Sequence, residues 1–230
     1  MARGHFSLPL WPLLLLALSP VAHVSGGCLN RDDLPVLEMS DLKKLSIKQL
    51  DEIFTKGCIE EEPLLGPHWG GILNSILHEP AEDIYRGLFG LVFEGALFQK
   101  TSCKGEDLWF YFPLLNPFDG GKLFKSQVTL FTARVTTGQF PHEKHRLDDK
   151  PSYVYDFSIS KEDCPDLASP WGRLKYPLDN PPILKDIIDE ARIVGVDEKG
   201  RAIILNRAFL KIWEDVVIFL QYEVFVSNPQ

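Results

Sequence analysis

The sequence predicts a mainly β protein, an antiparallel barrel of about eight strands with an amino-terminal helix and one short helix before the last hairpin. Three observations carry this prediction. Helical periodicity is confined to the start of the chain and to one later connection. From Gly87 onward, short segments rich in aromatic and β-branched residues are separated by turn residues, as strands are. Near the end, "DEKG" stands between two apolar segments where a hairpin would fold.

The first 26 residues have the features of a removable secretion signal. Arg3 precedes an apolar run from Leu8 to Leu18, and the small residues Val24 and Gly26 suit a signal-peptidase site. We therefore expect a protein that is secreted or held in the lumen of the secretory pathway. Beyond this leader, we expect residues 27–86 to form a segment of helix and loop and residues 87–230 to form the barrel, within one domain.

Composition and charge limit the partners. The net charge of −8 argues against binding to nucleic acid or to anionic membranes. After the leader, no apolar run reaches the roughly 18 residues that span a bilayer, so we expect no membrane insertion. Motifs for phosphate loops, dinucleotide binding, kinases and serine hydrolases are missing from the sequence, and we expect no cofactor.

The stretch "MSDLKKLSIKQLDEIFTKG" is the clearest helix. Ser46 and Gln49 have the spacing of a capping box, and Gly57 stands where a helix would end. Apolar residues recur at helical spacing, namely Leu42, Leu45, Leu50, Ile53 and Phe54. The sequence therefore predicts one amphipathic helix that packs against the barrel.

The next segment, residues 60–87, is rich in Gly and Pro. We expect a loop with short helical turns there, with His68 and His78 partly exposed. Strands should follow, and four segments show the composition or the alternation of strands: "GLVFEGALFQK", "DLWFYF", "QVTLFTARVTT" and "SYVYDFSIS".

The last part of the chain should form a helix, a hairpin and a closing segment. "PILKDIIDEA" is interpreted as a short helix, and "RIVGVDEKGRAIILN" as a hairpin folded at Asp197–Gly200. "AFLKIWEDVVIFLQYEVFV" fits either a helix or strands, and we favour one or two closing strands.

Four cysteines follow the leader, and in an oxidising compartment an even number favours two disulfides. Three pairings are possible. Proximity in sequence favours Cys28 with Cys58 and Cys103 with Cys164. No Cys-x-x-Cys spacing is present, which argues against zinc or redox chemistry at these residues.

The segment "PHEKHRLDD" contains the first candidate site. His142 and His145 stand three residues apart and Asp148 follows them, and imidazole with carboxylate is a ligand set for zinc. However, Pro141 and the following "DDKP" favour a turn, whereas a helix would be needed to align both rings. We interpret the segment as a solvated loop, with a metal site or a ligand-recognition loop at the barrel entrance as the alternatives.

The strand "SYVYDFSIS" contains the second candidate site. Its alternation places Tyr153 and Tyr155 on one face and Asp156 on the other. If the aromatic face packs outward, Asp156 points into the barrel, where an unpaired charge is costly. Arg192 and Arg134 are its candidate partners. Such a pair would clasp the strand to the last hairpin, orient a ligand, or serve as acid and base.

Four motifs follow one another along the chain, namely "LSIKQLDEIFTKG", "LVFEGALF", "DDKPSYVYDFS" and "DIIDEARIVG". In their order, the chain resembles a poorly characterised family of small lipocalin-like (calycin-type) β-barrel proteins over roughly residues 45–206. The resemblance implies a barrel with an interior pocket and carries over no single reaction. Ala96 stands where the family pattern has lysine, and Asp149 where it has glycine. The first difference removes a polar group that could contact a ligand.

Three functions remain. The chain has 15 Phe, 6 Tyr and 5 Trp residues, enough to fill the barrel or to line a cavity. The first function is a secreted binding or carrier protein for a lipid or other small hydrophobic molecule. The second is a cofactor-free isomerase, cyclase or lyase that uses an interior Asp/Arg pair, and the third is a structural protein with a filled barrel. For the first, the candidate lining residues are Phe93, Phe110, Phe112, Phe131 and Tyr155.

Overall fold

The computed structural model describes residues 33–60, 64–75, 81, 83–84, 93–103, 105–115, 128–129, 132–159, 162–164, 180, 182–213 and 216–227. The expected leader, together with Cys28, His78 and Phe131, lies outside these residues. Phe93 and Phe112 are described by their backbone alone.

Nine antiparallel strands lie within the described residues. They are β1 Gly66–Ser75, β2 Phe93–Cys103, β3 Glu106–Leu115, β4 Val128–Thr129, β5 Ala133–Gly138, β6 Ser152–Asp156, β7 Ile187–Val196, β8 Ala202–Trp213 and β9 Val216–Ser227. Around the sheet the order is β2-β1-β9-β8-β7-β6-β5-β3, and β3 pairs back with β2. Eight strands therefore close a barrel, while the two-residue β4 pairs with the end of β3. The predicted antiparallel barrel is confirmed.

The amino-terminal helix is also confirmed. A short helix α1, Met39–Leu42, precedes the helix α2, Ile47–Lys56. Ser46 caps α2, because its hydroxyl accepts from the Gln49 amide while the Gln49 side chain accepts from the Ser46 amide. The helix ends at Gly57.

The short helix before the last hairpin, α3, is Pro182–Lys185. The longer helix interpreted from "PILKDIIDEA" is wrong in its second half, which belongs to β7. Residues from Ile187 onward pair with β6 and β8 on both sides, so backbone pairing outweighs the local helical pattern there.

The loop predicted for residues 60–87 is wrong at β1. This strand pairs with β2 and β9 and completes the barrel. One of its glycines, Gly70, is explained by close backbone approach, because a Cβ atom there would lie 1.7 Å from the Val224 carbonyl oxygen. Gly95 of β2 is similar, with the His68 carbonyl oxygen 2.0 Å away. Glycines that resemble loop residues in sequence are here a requirement of strand packing.

The closing segment forms strands, as favoured. β8 and β9 pair along most of their length. The hairpin between β7 and β8 folds where predicted, and Gly200 adopts a φ of 72°. Asp197 stabilises this turn by accepting hydrogen bonds from the Lys199 and Arg201 amides at 2.9 and 2.8 Å.

The two faces of the barrel wall pack against different groups. The interior cluster draws buried side chains from seven strands, including Ala96, Phe98, Tyr111, Ala133, Val135, Tyr153, Tyr155, Ala191, Ile193, Ala202, Ile204 and Phe225. On the outside, Leu50 and Phe54 of α2 pack on alternating residues of the neighbouring strands, including Leu73, Val194, Ile203, Leu205, Tyr222, Val224 and Val226. Strand alternation therefore decides which residues can meet inside.

One disulfide joins Cys103, at the end of β2, to Cys164, with Cα atoms 5.1 Å apart. This pairing confirms the prediction for these two cysteines. The other expected pair includes Cys28, which lies outside the described residues, so that pairing stays a prediction. Within the part of the chain that the structure describes, no helix has the length and apolar character to cross a membrane.

Candidate functional site

The barrel interior contains a group of polar side chains among its aromatic residues. Tyr155 of β6 lies opposite Asp189 of β7, and Asn206 of β8 lies opposite Glu223 of β9. Gln221 precedes Glu223 by two positions and faces the same way. All five are buried. We name Tyr155, Asp189, Asn206, Gln221 and Glu223 the interior polar cluster.

Asn206 holds the two acidic side chains of this cluster together. Its amide nitrogen donates to Asp189 Oδ2 and to Glu223 Oε2, both at 3.1 Å. Gln221 Nε2 donates to the other oxygen of Glu223 at 2.5 Å. Because both carboxyl groups contact the same nitrogen, each influences the protonation of the other.

Burial raises the pKa of both acidic groups. For Asp189, removal from water is the larger cause and the neighbouring Glu223 the smaller, and its pKa lies well above the ordinary value. Burial also raises the pKa of Glu223, against the hydrogen bonds from Gln221 and Asn206. We therefore expect the folded protein to retain protons on this pair at pH values where the unfolded chain has lost them.

Three polar atoms of the cluster have no hydrogen-bond partner among the described residues. They are Asp189 Oδ1, Asn206 Oδ1 and Tyr155 Oη. Buried polar atoms in folded proteins are nearly always paired with protein, water, an ion or a ligand. These three atoms therefore mark a place where the interior can still bind a polar group.

Aromatic rings stand beside the cluster. Tyr111 stacks on Tyr155 with ring centroids 5.1 Å apart, and Phe98 lies 5.3 and 5.7 Å from these two rings. Phe157 and Phe225 meet Tyr111 edge-on at 6.0 and 6.1 Å. The unpartnered polar atoms thus adjoin an apolar wall that could contact the body of a small molecule.

His68 of β1 also lies inside the barrel and is fully buried, and its ring meets that of Phe98 edge-on at 4.6 Å. Its Nδ1 is 2.9 Å from the Gly66 carbonyl oxygen, and its Nε2 has no partner among the described residues. Burial lowers the pKa of His68 to about 4, so the ring is neutral at physiological pH. The expectation of a partly exposed loop histidine is wrong at His68, because this residue belongs to a barrel strand.

Asp156 lies on the outer face of the barrel. The aromatic face of β6 points inward, since Tyr153 and Tyr155 belong to the interior cluster. Asp156 accepts a hydrogen bond from the Ser158 amide at 2.9 Å. Arg134 is its cross-strand neighbour on that same outer face. The assumption that the aromatic face packs outward is thus corrected, because the interior is where large apolar rings leave water.

Arg192 also faces outward, and its partner is Asp148. Two guanidinium nitrogens donate to the Asp148 carboxylate at 2.8 and 2.7 Å, and a third contact runs to the Lys150 carbonyl at 2.8 Å. The Arg192 Nε donates to the Ser152 hydroxyl, which donates to Glu190. Arg192 lowers the pKa of Asp148 against the opposing effect of burial.

This outer network continues under α2. Glu190 forms an ion pair with Arg207. The ring of Phe54 lies 4.6 Å from the Arg192 guanidinium and 5.3 Å from that of Arg207. We name Asp148, Glu190, Arg192 and Arg207 the outer clasp. It ties the segment before β6, the strands β7 and β8, and α2 together, so its role is to hold the fold.

The histidine segment forms a single 3-10 turn at Glu143–His145. The ring of His142 packs near Phe140 and that of His145 near Phe209, with centroids 5.7 and 5.5 Å apart. Asp148 is engaged by the outer clasp. No group of three candidate metal ligands comes together among the described residues. A surface groove of about 340 Å³ runs along residues 141–145 and Val217.

The aromatic residues predicted to contact a ligand lie in different parts of the structure. Tyr155 lies inside, beside the unpartnered polar atoms. Phe110 packs in a separate cluster with Cys103, Cys164 and Ile159. The side chains of Phe93, Phe112 and Phe131 lie outside the description.

The sequence analysis did not select Asp189, Asn206 or Glu223 as site residues. The sequence does contain a signal for these three residues. Each is polar and lies two positions from an apolar residue that faces inward, as Asn206 lies two positions from Ile204. That signal requires knowing which face of each strand points inward. In strands buried on both faces, such as β8, alternation alone does not tell.

Comparison with known proteins yields no relative, since no family model, curated protein or solved structure matches the chain. The closed antiparallel barrel is consistent with a lipocalin-like fold. The candidate site is therefore argued from its own geometry.

Proposed function

We propose that the protein binds a small, largely apolar molecule inside the barrel, with a polar group of that molecule at the interior polar cluster. The observation that carries this proposal is the set of three buried, unpartnered polar atoms on Tyr155, Asp189 and Asn206. A ligand group would supply their missing hydrogen bonds, while the aromatic rings nearby would contact its apolar body.

A secreted carrier is the setting that we favour. The leader-like residues 1–26 support export. The disulfide between Cys103 and Cys164 supports an oxidising compartment, where such bonds persist. Transport of a hydrophobic molecule through an aqueous space is a task that a closed barrel with a mixed interior suits.

Native mass spectrometry of the protein from a eukaryotic secretory host tests this proposal. We expect a non-covalent adduct of small-molecule mass that organic extraction removes. In Asn206→Leu, the adduct should be strongly reduced, because the amide that organises both carboxyl groups is lost. Asp156→Asn, on the outer face, should retain the adduct.

A second experiment tests the same site in solution. The extracted protein should bind an environment-sensitive apolar dye, and re-added extract should displace it. If the extracted wild-type protein binds neither dye nor extract while its circular dichroism remains native, the binding proposal fails. If Asp156→Asn and Asn206→Leu change dye binding to the same extent, the ligand binds at a place other than the interior polar cluster.

The second candidate is a cofactor-free enzyme of the isomerase, cyclase or lyase type. The observation that favours it is the pair of neighbouring carboxyl groups whose pKa values burial raises, since paired carboxyl groups with raised pKa values can serve as general acid and base. Incubation of the extracted ligand with wild-type protein separates the two functions. Unchanged ligand after long incubation favours the carrier; conversion that Asp189→Asn abolishes, with binding retained, favours the enzyme.

A further inference from the structure

The interior polar cluster contains more hydrogen-bond acceptors than donors. The two N–H bonds of the Asn206 amide are directed at Asp189 and Glu223, and Gln221 donates to Glu223 as well. Asp189 Oδ1 and Asn206 Oδ1 receive no donor from the described residues. The amide orientation of Asn206 follows from this network, in which its nitrogen donates to both carboxyl groups.

No arginine or lysine neutralises this cluster from within the described part of the barrel wall. Arg192 and Arg207 alternate with the inward residues of their strands, and they lie in the outer clasp with Asp148 and Glu190. The inward-facing described residues of β6 to β9 are otherwise apolar, aromatic or uncharged polar, apart from the two acids of the cluster. Negative charge formed there has no cationic side chain beside it among the described residues.

Aromatic rings adjoin the same place. The stacked rings of Tyr111 and Tyr155 lie next to Asp189, which stands opposite Tyr155 in the sheet. Ring faces attract cations, and the attraction increases where water is excluded. Acceptors, carboxyl groups and ring faces are thus found together, and each of the three favours a positively charged donor.

We propose that the ligand carries a basic nitrogen, and that its ammonium group binds at the interior polar cluster while an apolar or aromatic body lies along the Tyr111–Tyr155 wall. This proposal rests on the proposed function and names the chemical class of its ligand. An ammonium group brings up to three N–H donors, enough for Asp189 Oδ1, Asn206 Oδ1 and Tyr155 Oη. It also brings the charge that offsets ionisation of a buried carboxyl group.

A hydroxyl group in the same position would satisfy fewer of these polar atoms. It offers one donor and no charge, so it leaves acceptors unpaired and the acidic pair without a counter-ion. The proposal therefore predicts a preference between two molecules of nearly equal size and shape that differ in this one group.

The test compares phenethylamine with 2-phenylethanol by isothermal titration calorimetry on the extracted full chain at pH 7.5. We expect the amine to bind at least about tenfold more tightly, which corresponds to about 1.4 kcal/mol. Asp189→Asn and Glu223→Gln should weaken binding of the amine by a similar factor or more and change binding of the alcohol less than threefold. Asp156→Asn is the matched control and should leave both affinities unchanged.

The comparison of the two probes uses the unmodified protein, so it remains decisive if a variant does not fold. Tyr155→Phe provides a milder variant, which should weaken the amine alone. Equal affinities, or a preference for the alcohol, would overturn the basic-nitrogen proposal and leave interior ligand binding standing. If neither probe binds at millimolar concentration, interior binding itself is contradicted.

Discussion

Burial of Asp189 and Glu223 side by side makes the stability of the protein depend on pH. In the unfolded chain both groups ionise near pH 4. In the folded protein burial raises their pKa values, so the folded state retains protons that the unfolded state has lost. The free energy of unfolding contributed by the pair is complete below the unfolded pKa and is lost as pH rises towards the folded pKa.

His68 acts in the opposite direction over a lower range. Its pKa is lowered to about 4 in the folded protein, so between about pH 4 and 6.5 the unfolded chain binds a proton that the folded protein does not. The free energy of unfolding therefore rises with pH across that interval. Above pH 6.5 this effect ends. Burial also raises the pKa of Glu190, so this residue acts in the same direction as the acidic pair, and a comparison with Asp189→Asn isolates the contribution of Asp189.

We predict that the free energy of unfolding contributed by the acidic pair falls as pH rises above about 4, and that Asp189→Asn makes this fall smaller by about 1 kcal/mol or more. The reason is that asparagine is never ionised, so no proton is retained on folding at this position. Urea unfolding followed by tryptophan fluorescence at several pH values measures the difference.

Asp156→Asn is the control for removal of a carboxylate from any position. Its free energy of unfolding should change with pH as that of the wild-type protein does. An Asp189→Asn slope equal to that of the wild type would show that Asp189 does not retain its proton in the folded state. The interpretation of the interior pair as neutral or half-protonated would then be incorrect.

At the scale of elements, the outer clasp explains how α2 remains on the barrel. The helix contributes Leu50 and Phe54 to the apolar contact with the outer wall. Arg192 is nearly fully buried and forms a two-bond ion pair with Asp148, while its guanidinium covers Phe54. Lys150 of the same segment donates to the Thr55 carbonyl at 2.7 Å. Apolar packing and polar bonds thus act on the same helix.

We predict that Arg192→Met lowers the free energy of unfolding by about 3 kcal/mol, because it leaves Asp148 and Ser152 without their buried partner. Chemical denaturation at pH 7 gives the value. Arg201→Met is the matched control, since Arg201 pairs with Asp197 in a more exposed turn and should cost about 1 kcal/mol or less. Equal losses for both variants would contradict the clasp.

At the scale of the whole molecule, closure and covalent linkage act together. Pairing of β2 with β3 completes the barrel, so each of the eight strands has a neighbour on both sides. The disulfide joins cysteines 61 residues apart and encloses β3 to β6 in one covalent loop. A loop of this length restricts the unfolded chain more than the folded one.

We predict that the double variant Cys103→Ala, Cys164→Ala lowers the free energy of unfolding by about 2–4 kcal/mol. Thermal or urea unfolding of the purified variant checks this. The corresponding pair of serine substitutions should give a similar loss, which separates the missing bond from the change in side-chain packing. A loss below about 1 kcal/mol in both variants would mean that the folded contacts alone hold these segments.

Much of the architecture could be predicted from local sequence. The capping box at Ser46 and Gln49, the turn at Asp197–Gly200 and the alternation of β6 have local causes, and the structure contains all three. β1 could not be predicted, because Gly70 is explained by a strand that lies about 150 residues away in sequence. The shortened α3 has the same kind of cause, since β7 is held by partners on both sides.

The candidate site was less accessible to sequence reasoning. The alternation in β6 was correct, but the direction of its two faces was not, and that direction decides between Asp156 and Asp189 as the interior acid. Arg192 was predicted as a partner of Asp156, whereas it pairs with Asp148, which lies 44 residues away in a turn.

The sequence by itself determined the mainly β composition, the capped helix, the hairpin turn and the supply of aromatic residues, because each depends on neighbours within a few positions. Only the tertiary structure decided which strand faces point inward, because that depends on how eight strands close and on where α2 covers the wall. The acidic pair with Asn206 exists only after closure, when side chains from β7, β8 and β9 meet in the buried interior.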